Sequence, residues 1–78
     1  MNLGEIPIPV LIRLRNLEVL VEHYGYANRS MMAELHGLSE AQTSKDISLY
    51  KELNPESCFY NRATRRIERL SNFKRIIE

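Results

Sequence analysis

Cysteine is almost missing from this chain: Cys58 is the only one, so neither an internal disulfide nor a cysteine-based zinc site can be built. The two histidines, His23 and His36, have no partner at metal-ligand spacing, and neither a metal nor another cofactor is expected. No apolar run approaches a membrane span and no signal-peptide pattern opens the chain, so the expected setting is the cytoplasm, away from any membrane. A glycine-rich phosphate loop, a nucleophile–base pair and paired carboxylates are all lacking, which argues against an enzyme and leaves no small-molecule site evident. Repeats, linkers and low-complexity segments are lacking too. What is there is an ordinary composition, 44% hydrophobic and 27% charged, in 78 residues, enough for one small domain.

The net charge of +1 hides an uneven distribution. Residues 1–57 carry five basic side chains against eight acidic ones, whereas residues 58–78 carry six against two. Arg62, Arg65 and Arg66 cluster within this basic end, and such a cluster attracts phosphate even when the whole chain is near neutral.

Pro7 and Pro9 bias Ile6 and Ile8 away from helix, so residues 1–9 read as an extended arm. From Val10 to Tyr24 an amphipathic pattern predicts a helix stopped at Gly25, with Val10, Leu14, Leu17, Val21 and Tyr24 on one stripe. Ile12 and Val19 fall nearly opposite that stripe. A short second helix follows, capped by Asn28 and stopped by Gly37, with Met32, Leu35 and His36 facing inward. Ser39 and Gln42 form a capping box for a third helix, the Gln42 side chain reaching back to the cap. Ile47, Tyr50 and Leu53, with Thr43, form its inner stripe, and Asn54-Pro55 ends it. Its outer face is Ala41, Gln42, Ser44, Lys45, Ser48 and Leu49.

After Pro55 the period shortens to two. "CFYNRATRRIERL" predicts a β-hairpin in which Asn61 pairs with Arg66 and Tyr60 lies opposite Ile67, leaving Arg62-Ala63-Thr64-Arg65 as the tip. Phe73, Ile76 and Ile77 are spaced for one helical turn in the tail. Cys58 reads as a small buried hydrophobe, and His36 as a packed core residue.

Two helices joined by a short Gly-containing turn and followed by a hairpin make a winged helix-turn-helix: mainly α with a small β-hairpin, three helices plus wing. The whole of residues 1–78 reads as one such domain, with a helical core at 10–57, the helix-turn-helix at 28–53, the wing at 58–70 and a tail at 71–78. In that architecture the third helix enters the major groove and presents small or amide-bearing side chains to base edges. Candidate DNA contacts are therefore Ser39, Gln42, Thr43, Ser44, Lys45 and Ser48 on that helix. Arg62, Arg65 and Arg66 follow on the wing, and Arg29 at the start of the second helix.

"NRS" opens the second helix, "GLS" marks the turn, "QTSKD" and "YKEL" lie in the third helix, and "YNR" enters the wing. On these features the chain resembles the N-terminal winged helix-turn-helix of WYL-domain transcriptional regulators, over roughly residues 11–73. That family includes repressors accompanying bacterial anti-phage defence systems. The resemblance implies dimeric binding to inverted repeats in double-stranded DNA, with contacts carried by Gln42, Ser44, Lys45, Arg62 and Arg65. Those regulators continue into a ligand-sensing WYL domain, which these 78 residues do not contain.

The expected function is sequence-specific transcriptional regulation, as a repressor on an inverted repeat. The alternative is a winged helix that binds an acidic protein partner, which calls for an apolar outer face on the third helix; Ala41 and Leu49 alone lean that way. An RNA-binding winged domain would need exposed aromatics for stacking, for which Phe59 and Tyr60 are the candidates. Ile12, Val19, Phe73, Ile76 and Ile77 are apolar beyond the needs of one small core and are candidates for a homodimer interface.

Overall fold

The computed structural model describes residues 3–77. A short 3-10 turn at Leu3–Glu5 precedes helix α1 (Ile8–Tyr24). The helix thus starts earlier than the proline pattern suggests, and the expected arm shrinks. Pro7 is the N-cap residue and Pro9 sits in the first turn, where a missing amide hydrogen costs nothing because that group has no partner within the helix. Ile6, also expected in the extended arm, is buried in the core. At the other end Gly25 takes a left-handed conformation, φ 88°, and its amide donates to the Val21 carbonyl.

Strand β1 (Tyr26–Asn28) follows at once, and then α2 (Arg29–His36) and α3 (Glu40–Leu53). Both caps form: the Asn28 side chain accepts from the Met31 amide at 2.8 Å, and the Ser39 hydroxyl accepts from the Gln42 amide at 3.2 Å. Gly37, at φ 66°, ends α2 and starts the turn. Strands β2 (Cys58–Asn61) and β3 (Arg66–Arg69) make the hairpin in the expected register, with Asn61 opposite Arg66 and Tyr60 opposite Ile67. The Asn61 side chain accepts from the amides of Ala63 and Thr64, which folds the tip locally. β1 pairs with the other edge of β3, so the sheet has three antiparallel strands in the order β1-β3-β2. Three residues are too few to show strand alternation, and β1 exists because β3 offers it an edge.

Leu14, Leu17 and Val21 of α1, Met32 of α2, and Ile47 and Tyr50 of α3 meet Ala27 and Ile67 of the sheet in one core. Two inward assignments fail. Leu35 is 56% exposed and Tyr24 is 63% exposed, each lying at the margin of its helix's buried stripe. The core also holds a carboxylate that apolar periodicity does not reveal. Glu18 is fully buried and accepts from the Tyr50 hydroxyl at 2.6 Å and from the amides of Ile76 and Ile77 at 2.9 and 3.1 Å. Burial, and then the bond to Glu18, push the Tyr50 phenol well above its ordinary value.

Those two amides explain why the tail does not form the expected helical turn. A helical turn would withdraw them from Glu18, and a buried carboxylate without donors is far costlier than a lost turn. Asn54 and Ser57 hold the same segment through the Lys74 backbone. Ile77 is consequently part of this chain's own core, whereas Phe73 and Ile76 pack against it and remain half-buried.

Candidate nucleic-acid interface

The Ser39 cap and the Gly37 turn set the start of α3 beside the start of α2, and the hairpin brings its tip to the same side. Between α2, α3 and the wing lies a cleft of about 430 Å³ lined by Arg29, Ser44, Ile47, Ser48, Lys51, Tyr60, Arg62 and Arg65. Four of these side chains are cationic and none is acidic. A smaller cleft of about 270 Å³ continues past Arg29 and Arg65 to Ser30, Glu40 and Thr64. Arg29 is shared by both, its guanidinium 3.4 Å from the Ser44 hydroxyl and 3.9 Å from the Glu40 carboxylate. The exposed ion pair is worth less than about 1 kcal/mol, so Arg29 can exchange it for a phosphate.

The wing tip carries a backbone feature of its own. Arg65 has φ 58°, and among the described residues it is the one non-glycine side chain in left-handed backbone. Glycine would meet that geometry without the Cβ penalty, so the sequence retains a guanidinium where the turn favours no side chain.

The remaining expected contacts divide. Lys45 and Ser48 are exposed on the outer face of α3, and Ser39 is exposed while its oxygen holds the helix cap. Thr43 is a correction: it is fully buried and its hydroxyl donates to the Glu40 carbonyl, so it supports the helix from inside. Arg66 lies apart from the cleft, its guanidinium 4.2 Å above the Tyr26 ring and donating to Glu68 at 3.1 and 3.2 Å. The Gln42 side chain does not reach back to close the capping box. It donates instead to the Asp46 carboxylate at 3.3 Å.

Asp46 is buried, and Arg13 of α1 donates to it from Nε at 2.7 Å and from Nη2 at 3.4 Å. The sequence pattern does not single out this pair, because one partner lies on another helix. Lys51 also lines the cleft, and its spacing of three and seven residues from Ser48 and Ser44 places it on their face. Behind the cleft the Cys58 thiol is buried and donates to the Asn54 carbonyl. Burial pushes it up to about 11, against a smaller opposite pull from Lys51, so it stays a protonated, unreactive thiol.

The arrangement presents a helix face of hydroxyls, one amide and two lysines, beside a cationic cleft. Such a surface is chemically suited to anionic ligands such as phosphates and to polar hydrogen-bonding edges. No group of three or more metal-ligating side chains occurs among the described residues, and no helix among them is long and apolar enough to cross a membrane. A family model described as the BrxR transcriptional regulator winged helix-turn-helix domain matches residues 9–77. No curated protein matches the sequence.

Proposed function

Because the chain belongs to the family of BrxR transcriptional regulator winged helix-turn-helix domains, we propose that this DNA-binding domain is a sequence-specific, non-catalytic repressor. Its site in double-stranded DNA is an inverted repeat, and it acts in the cytoplasm. The observation that carries this reading is the cleft between α3 and the wing, with four cations and no carboxylate. The start of α3 enters the major groove, where Gln42, Ser44, Lys45 and Ser48 meet base edges. Arg62 and Arg65 follow the flanking backbone, with Arg29 and Lys51 on phosphates nearer the helix. Arg66 braces the wing from behind.

One α3 helix reads too few base pairs to select a site among many competitors, so two copies act together. Apolar surface for pairing is offered by α1, where Ile8, Ile12 and Val19 are exposed. The polar outer face of α3 disfavours the rival reading as a docking module for an acidic protein.

Selection from a pool of random duplexes tests the reading. It should return a sequence with two-fold symmetry, and light scattering should show two chains per selected duplex. An unenriched pool would refute sequence-specific binding. A single unrepeated half-site bound by one chain would refute the dimer.

A further inference from the structure

Gln42 is half-buried in the first turn of α3, and its carboxamide is not free. Nε2 donates to Asp46 Oδ1 at 3.3 Å, which commits one amide hydrogen. The Asp46 carboxylate cannot turn to accommodate another arrangement, because Arg13 grips both of its oxygens from α1. A half-turn of the Gln42 amide would set its carbonyl oxygen against this carboxylate, two acceptors face to face. One orientation is therefore selected: the nitrogen inward, with the carbonyl oxygen and the second amide hydrogen left for a ligand.

An acceptor beside a donor is the complement of adenine, whose major-groove edge offers an N6 donor next to the N7 acceptor. A glutamine free to flip can also turn its nitrogen toward guanine, whose edge offers two acceptors. We propose that Asp46, clamped by Arg13, is a positioning residue that fixes the Gln42 amide for adenine at one base pair of each half-site. Arg13 and Asp46 touch no DNA themselves. The inference rests on the reading of α3 as the base-contacting helix, and it assigns part of the sequence preference to a charge pair behind that helix.

The test measures affinities of the whole chain for the selected duplex and for its single-base variants. The variants Gln42→Ala, Asp46→Asn and the double substitution are compared with the unsubstituted chain. At one adenine the unsubstituted chain should discriminate by about 5- to 150-fold, the range of a bidentate pair. Asp46→Asn keeps the shape but can donate to the Gln42 oxygen, so the preference there should fall toward unity, guanine gaining most, while preferences at other positions hold. In the Gln42→Ala background Asp46→Asn should have no further effect at that base.

Full discrimination in Asp46→Asn, or an equal loss at every position, would overturn the positioning role. If Gln42→Ala leaves every preference unchanged, the base-reading assignment of Gln42 itself has failed. Arg13→Lys is the second variant should Asp46→Asn not fold: a shorter, rotatable ammonium lacks the planar two-nitrogen fork that fixes both oxygens, so the loss should be smaller and confined to the same base. Unchanged discrimination in that folded variant overturns the role of the clamp.

Discussion

Salt dependence should separate the arginines of this domain, because the structure gives them different partners. Arg62 and Arg65 line the cleft, whereas Arg66 is spent on Glu68 and the Tyr26 ring. Each cation that neutralises a phosphate adds about 0.9 to the slope of log affinity against log salt. Arg29, Lys51, Arg62 and Arg65, with Lys45 on the outer face, would give a slope near −4.5 per protomer at about 0.9 each. Between about 50 and 200 mM salt each such contact is worth about 3.5-fold in affinity. Replacing Arg62 and Arg65 together with Ala should flatten the slope by about 1.8, so the twofold variant loses about 12-fold less affinity over that range. Arg66→Ala should leave the slope unchanged and act, if at all, through wing stability. Fluorescence anisotropy on a labelled duplex at several salt concentrations measures both. An unchanged slope in Arg62→Ala/Arg65→Ala, or an equal flattening in Arg66→Ala, would refute the assignment.

Glu18→Ala removes the acceptor of the Tyr50 hydroxyl and of two tail amides, and should cost about 3 kcal/mol or more in urea denaturation. Faster hydrogen exchange at Ile76 and Ile77 should accompany it, and a loss below about 1 kcal/mol would contradict the buried network. Arg65→Gly should raise thermal stability by about 0.5–1 kcal/mol, relief of the left-handed backbone outweighing the extra freedom of the unfolded chain. The same variant should bind duplex more weakly, and a fall in stability would count against backbone strain at the wing tip. Cys58 is held up to about 11 by burial while an ordinary thiol ionises near 9.0, so the folded state binds that proton more tightly. Stability from this group is complete below the ordinary value and is lost as pH rises from there toward 11. Urea midpoints at pH 8 and pH 10 should therefore drop more for the unsubstituted chain than for Cys58→Ala, and equal drops would sink the idea.

Features settled within a few residues of chain were legible in the sequence alone. The Asn28 and Ser39 caps bond to amides three residues ahead, Gly37 stops α2, and Asn61 folds the tip that sets the hairpin register. Their partners travel with them along the chain, so residue types at fixed spacing suffice, and the order of these elements already specifies a winged helix-turn-helix. Distant partners decided the rest. Glu18 looks like a surface residue of α1 until Tyr50, 32 residues on, and the tail amides, 58 and 59 residues on, converge on it. Those bonds keep the tail from forming a helical turn and move Ile77 inside. Arg13 meets Asp46 across 33 residues, and that pair diverts Gln42 from its own cap. β1 is a strand because β3 lies beside it, and Arg66 stays apart from the cleft because Glu68 and the Tyr26 ring hold its guanidinium. A charged or amide side chain takes the strongest partner within reach, and what lies within reach is a property of the folded chain.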